Sequence, residues 1–386
     1  MYGLDGEAAR LADRAAGIAR DTTASAAAEV DGQARFPAES MDALARAGLM
    51  GLGVPAAQGG LGQGPRAFVG VVEELAQACG STAMVYVMHV AAQQTIAASE
   101  TLQGREDVLR EIAAGRHLTT LALSEQGSRS QFWAPVSGLE PDGNGGFVTY
   151  ARKSWVTAAG HADSMVSSAQ RAGAASPLES TLYLARRGAE GLRISGRFDG
   201  LGLRGNESAP VALDGVHVAT GDLITAPGGG PPVILGVILP WFALGTAAMA
   251  NGICRAAVTA TTGHLQRATF EHTGEALRDL PQLRARLARM SVRTEQSRAL
   301  LRQAVDFVEQ PSEATPLYVM QARLAAIEAA VDVTDLAMKA CGGAAFSKHL
   351  PVERLFRDAR PGWVMAPTVD HLEDMLGKAL TGLPLF

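Results

Sequence analysis

The stretch GLGLRGNESAPVALDGVHV, Gly200 to Val218, decides between two very different folds. Its first six residues match G-x-G-x-x-G, which cradles a dinucleotide pyrophosphate where a strand turns directly into a helix. After Gly205, however, Val211 and Leu213, then Val216 and Val218, sit two apart, the period of a strand and not of a helix. The glycines are therefore expected to form a turn between β segments, and a doubly wound parallel sheet is set aside.

Outward from that stretch the same texture continues. GGFVTY, SMVSSAQ, STLYLAR and GLRISGRF are short β-prone runs separated by the turn clusters PDGNGG and AGAASP. Their spacing predicts a small antiparallel barrel or sandwich over residues 119–228. Residues 1–118 read as helical instead, with apolar side chains three and four apart in MDALARAGLMGLG and FVGVVEELAQACGSTAMVYVMHVAAQQTIAA, and a Gly/Pro loop, VPAAQGGLGQGP, between them. Beyond the linker APGGGPP, helical runs are predicted from Val233 to Gln310, from Pro316 to Cys341 and from Val369 to Leu380. The order α, β, α over residues 1–118, 119–228 and 229–386 makes the fold mainly α with an inserted β domain.

Composition narrows the function. With 47% apolar and 19% charged residues, a formal charge of −5 and no long Lys/Arg run, the chain lacks the footprint of a nucleic-acid binder. Cys79, Cys254 and Cys341 are scattered without CxxC spacing, so neither a disulfide framework nor a zinc site is expected, and no other metal site is. The N-terminus carries charges throughout and shows no export signal, which together with the cysteines predicts a cytoplasmic protein. The most apolar stretch, Val233 to Met249, is interrupted by Pro240 and is expected to be a buried helix, not a membrane span.

Two motifs carry chemistry. LALSEQGSRSQ, Leu121 to Gln131, places hydroxyls at Ser124, Ser128 and Ser130 in a loop after an apolar β-prone run. KSWVTAAGHAD sets the aromatic plane of Trp155 two residues from Thr157, so that on a strand both face one side. Each taken alone is an ordinary polar turn or a half-buried strand residue.

Together and in order they mean more. LALSEQGSRSQ, KSWVTAAGHAD, RFDGLGLRGNESAPVALDGVHV, HLQRATF and KACGGAAFSKHLPVERLFRDAR, preceded by RFPAESMDALARAGLMGLGVPAAQGGLG, resemble the acyl-CoA dehydrogenase superfamily from about residue 35 to 365. The resemblance implies an N-terminal helical domain, a central antiparallel β-barrel, a C-terminal four-helix bundle, bound FAD and a homodimer or homotetramer. By position it implies that Ser124 contacts the pyrimidine side of the flavin and that Trp155 and Thr157 lie against its ring. It further implies that Arg267, with Phe270 in the same motif, reaches the pyrophosphate of a neighbouring subunit's FAD, and that Gly342 and Gly343 approach the ADP half. Lys339 stands where the family has a Gln.

The chemistry departs from the pattern. Removing the α-proton of a thioester needs a positioned base and donors to the carbonyl oxygen. The family's usual Glu falls nine residues after the Arg of RDA, which from Arg357 is Ala366. Its second location, on the first long helix of the bundle, is Trp241, flanked by Pro240 and Phe242. Ala366 retains a backbone N–H, and Thr368 a hydroxyl that either caps the last helix or contacts FAD. Substrate contacts are expected from Ser130, Trp241, Phe242 and Ala366. Asp370, His371, Glu373, Glu271, His272, His161 and His89 are the remaining ionisable candidates. Three functions stay open: an oxidoreductase of acyl thioesters on CoA or a carrier protein, with a flavoprotein as electron acceptor; a monooxygenase served by a flavin reductase and O₂; and a non-catalytic flavoprotein subunit.

Overall fold

Asp5 opens the first helix by accepting hydrogen bonds from the backbone N–H groups of Glu7 and Ala8, an N-cap followed by an acidic first-turn residue, Glu7. The computed structural model describes residues 2–385. Six helices fill the N-terminal region: α1 (Gly6–Ile18), continued through a π turn into α2 (Ala24–Gln33), then α3 (Ala38–Arg46), α4 (Pro65–Ala78), α5 (Gly80–Ala97) and α6 (Arg105–Ala113). Pro65 starts α4, where its missing N–H costs nothing, and extended Cys79 separates α4 from α5. α5 is buried on nearly every side. Its His89 has Nε2 3.0 Å from the Met50 carbonyl oxygen and accepts from the Thr119 N–H at Nδ1, and burial pushes its pKa down to about 4.

Seven strands follow: β1 (Thr119–Ala122), β2 (Gly138–Pro141), β3 (Gly146–Val156), β4 (Ser164–Arg171), β5 (Ser180–Arg186), β6 (Leu192–Ile194) and β7 (Ala209–Ala219). They make one curled sheet in the order β1-β4-β2-β3-β7-β6, with β5 on the other side of β4. The sheet is mixed and not purely antiparallel, because β1 and β2 both run parallel to β4. Short-range alternation defines a strand but not its partner, so this long-range pairing was invisible in the sequence. A separate apolar core, including Val156, Met165, Tyr183 and Leu213, lies inside the curl.

The glycine turn at 200–205 leads through a 3₁₀ turn into strand β7, as its spacing predicts. A Cβ on Gly202 would lie 2.1 Å from the Arg357 carbonyl oxygen, and one on Gly205 would lie 2.2 Å from Val30. Close helix packing, not a pyrophosphate, thus explains these glycines.

The C-terminal region holds α7 (Gly230–Val233), α8 (Leu239–Arg267), α9 (Pro281–Glu309), α10 (Thr315–Cys341), α11 (Gly343–Phe346), α12 (Val352–Ala359) and α13 (Val369–Thr381). The run read as helical from Val233 to Gln310 is in fact two helices. Residues 268–280 form a loop closed by the Phe270 N–H on the Glu275 carbonyl, with Gly274 at φ +74° and Pro281 opening α9. α8, α9 and α10 pack on one another and α13 lies against α10, giving a helical bundle. Residues 230–267 form the one helix, among those described, that is long and apolar enough to cross a membrane, but its most apolar window is 61% buried against neighbouring helices. Glu73 of α4, buried, pairs with Arg298 of α9 at 2.9 Å and Arg255 of α8 at 2.7 Å, tying the first helical region to the bundle.

Candidate active site

The site begins where β3 breaks step with β7. Register shifts between Lys153 and Val156, and within that bulge Trp155 adopts φ +58°, a left-handed conformation costly for a residue with a Cβ. The expectation that Trp155 and Thr157 sit on a regular strand is corrected here: β3 ends at Val156, and the bulge throws the indole outward, 67% exposed, while Thr157 stays 2% exposed. Thr157 Oγ1 lies 3.0 Å from Ser208 Oγ. The loop after β1 joins on at the same place, with the Ser154 N–H donating to the Ser124 carbonyl and the Gln126 N–H to that of Arg152, both at 2.9 Å.

These elements wall a cavity of about 1140 Å³ between the sheet, α5, α8 and the segment 360–366. Ser124, Ser130, Trp155, Thr157, Phe242 and Ala366 all line it. Its lining also holds Leu201, Trp363 and Val364, each strongly exposed, and the Phe198 ring lies edge-on to Trp155 at 6.2 Å. An apolar cavity of this size with a few polar groups suits a planar cofactor and a small acyl chain.

Glu125 is the carboxylate of the cavity wall, and it is fully engaged. Its oxygens accept from Lys153 Nζ at 2.6 Å, Ser137 Oγ at 2.6 Å and the N–H groups of Val136 and Ser137. Burial alone would raise its pKa, but the Lys153 ammonium and the Ser137 donors outweigh that and hold it below the usual carboxylate value. Such a group is a brace, not a poised base.

The segment 228–378 matches the family model "Acyl-CoA dehydrogenase, C-terminal domain", and residues 5–116 match "Acyl-CoA dehydrogenase, N-terminal domain". The chain belongs to the acyl-CoA dehydrogenase superfamily. It is 28% identical to the mitochondrial short-chain specific acyl-CoA dehydrogenase of Bos taurus over 336 residues, covering 86% of this chain and 80% of the relative. It is 27% identical to the cyclohex-1-ene-1-carbonyl-CoA dehydrogenase of Geobacter metallireducens over 365 residues, covering 94% and 95%. Its fold superposes on the solved butyryl-CoA dehydrogenase of Megasphaera elsdenii with a TM-score of 0.92, at 22% identity and 98% and 99% coverage. The protein is thus an acyl-CoA dehydrogenase-like flavoprotein oxidoreductase.

Trp241 turns away from the cavity and packs on Phe68, ring centroids 5.3 Å apart, while its neighbour Phe242 faces in. Arg267 and Phe270, at the end of α8, and exposed Gly342 and Gly343, at the end of α10, lie outside the cavity lining at one end of the bundle, where Leu265, Leu283 and Ala340 pack together. Thr368 is the N-cap of α13, accepting from the His371 N–H, and its hydroxyl also lies 3.1 Å from His371 Nδ1. None of the remaining ionisable candidates lines the cavity: His161 pairs with Glu207 and stacks on Phe36, His89 is locked in the α5–β1 contact, and Asp370, Glu373, Glu271 and His272 are exposed.

One residue escaped the sequence reading. Arg323 of α10 is 0% exposed and pairs with no carboxylate among the described residues. Its guanidinium sits 4.7 Å over the Phe242 ring, and it donates to the carbonyls of Met365 and Ala366. Burial pushes its pKa down to about 9. The signal was present: Arg323 is in phase with Val319, Ala326 and Ile327 on the buried stripe of α10.

Proposed function

We propose that the protein binds FAD in the cavity beside Trp155 and oxidises an acyl thioester of CoA or a carrier protein, without a carboxylate at either of the superfamily's base positions. The observation that carries the reading is the convergence of Ser124, Trp155, Thr157, Phe242 and Ala366, from four separate segments, on one cavity. FAD, when bound, supplies a hydride acceptor. An outward Trp155 in a strained conformation offers a flat face for a ring system, and Thr157 and Ser124 offer hydroxyls at its edge. Phe242, Met365 and Val364 exclude water from the acyl chain. The Ala366 N–H donates to the thioester carbonyl oxygen, where negative charge gathers as the α-proton leaves.

Arg267, Phe270, Gly342 and Gly343 belong, on this proposal, to the FAD of a neighbouring subunit in a homodimer or homotetramer. Their position on the exposed end of the bundle, away from the chain's own cavity, supports that. A partner flavoprotein would serve as the electron acceptor.

With Glu125 braced by Lys153, the lining holds no free side-chain carboxylate among the described residues, so the α-proton leaves to solvent, which favours a substrate whose α-proton is already activated. The same observation favours a second reading, a monooxygenase fed by a flavin reductase and O₂, for which no α-proton base is needed. Turnover under argon with an artificial electron acceptor separates them. The first reading expects a product two hydrogens lighter by mass spectrometry; an oxygenated product formed only with O₂ and an external reductant would overturn it.

A further inference from the structure

The Met365–Ala366 peptide is held from behind by a buried cation. Arg323 Nη2 donates to the Met365 carbonyl oxygen at 2.8 Å, and Nη1 to that of Ala366 at 3.2 Å. A trans peptide is planar, so its N–H points opposite to its C=O. The N–H paired with the Met365 carbonyl is that of Ala366. Among the described residues no acceptor takes it, and Ala366 lines the cavity.

We infer that Arg323 is a positioning residue for the reaction: by gripping the Met365 carbonyl it aims the Ala366 N–H into the cavity and polarises it as the donor to a substrate carbonyl oxygen. This rests on the thioester reading above. The physical basis is twofold. A charged donor on a peptide's oxygen draws electron density from its nitrogen and strengthens the N–H as a donor, as cooperative hydrogen bonds do in low dielectric. The guanidinium, stacked on Phe242 and without a carboxylate to neutralise it, also leaves this corner electropositive, which favours negative charge gathering on a bound carbonyl oxygen. The superfamily's carboxylate at the Ala366 position would have opposed that field; the neutral methyl does not.

The effect is read on the ligand. But-2-enoyl-CoA carrying ¹³C at its carbonyl is bound to the oxidised, flavin-loaded protein, and the carbonyl stretch is recorded by infrared difference spectroscopy. The wild type is expected to shift the band to lower wavenumber. Arg323→Met is expected to lose most of that shift and to bind the thioester about tenfold more weakly, and Arg323→Lys, which keeps the charge, to recover a large part of it. Should Arg323→Met not accumulate as folded flavoprotein, Arg323→Gln is read the same way. A wild-type shift preserved in either folded, uncharged variant overturns the role of Arg323 alone. No bound carbonyl band in the wild type at all overturns the thioester reading, and the inference with it.

Discussion

Lys153 Nζ lies 2.6 Å from Glu125 Oε1, and neither side chain is more than 2% exposed. The pair joins β3 to the loop carrying Ser124, so two cavity walls share one buried ion pair. Removing one partner leaves an uncompensated charge, which is strongly destabilising, whereas removing both need not be.

Lys153→Met is therefore expected to cost about 3 kcal/mol in urea denaturation at neutral pH. Glu125 is held below its ordinary pKa in the wild type, so its contribution is present above the usual carboxylate range and lost as pH falls through the folded value. Without Lys153 the carboxyl's pKa rises, and the penalty shrinks on acidification. A cost below about 1 kcal/mol, or one independent of pH, would show that the pair does not brace the site.

Asp358 gives the opposite pH dependence. It is buried and accepts from the Leu203 N–H at 2.7 Å, and burial pushes its pKa from 3.8 up to about 6. Its folded pKa exceeds the unfolded one, so the protonated form is favoured; the cost of the charge is absent below the lower value and complete above the higher. Asp358→Asn should raise stability by on the order of 2 kcal/mol near pH 8, with the gain fading below about pH 4. Thermal melts at the two pH values check it, and an equal change at both would contradict it.

Flavin retention tests the two groups of proposed cofactor residues separately. Trp155→Gly relieves the left-handed strain while removing the aromatic face, so stability is expected within about 1 kcal/mol of wild type while flavin content after gel filtration falls. Arg267→Ala should lower flavin content with little effect on folding, since the side chain is exposed. Undiminished flavin in both variants would place FAD elsewhere.

Much of this was legible in the sequence, and what was not has identifiable causes. The α, β, α order followed from periodicity, and the Gly200–Gly205 turn from the strand behind it. The parallel pairing of β1 and β2 with β4 was not, because residues far apart in sequence decide it. The positive φ at Trp155 was equally hidden, since nothing in KSWVT marks a bulge. The loop at 268–280 carried only one interior glycine, Gly274, too weak a break to end a helical reading. Arg323 was overlooked because an arginine within a helical pattern normally reads as solvated, and only its phase with buried neighbours betrays it.

Restoring a carboxylate probes the missing base directly. Ala366 faces the cavity, so Ala366→Glu is expected to speed anaerobic flavin reduction by a saturated acyl thioester about a hundredfold, the scale of general-base catalysis. Rapid-mixing spectrophotometry measures it. No acceleration in a folded, flavin-loaded variant would mean that residue 366 does not stand beside the α-carbon.

Anaerobic mixing of the flavin-loaded wild type with a series of acyl thioesters, on CoA and on a carrier protein, puts the thioester oxidation itself to the test. Bleaching of the oxidised flavin band by at least one thioester, with no other reductant present, is the predicted result. A band that survives every thioester and bleaches only when an external reductase is added would contradict it.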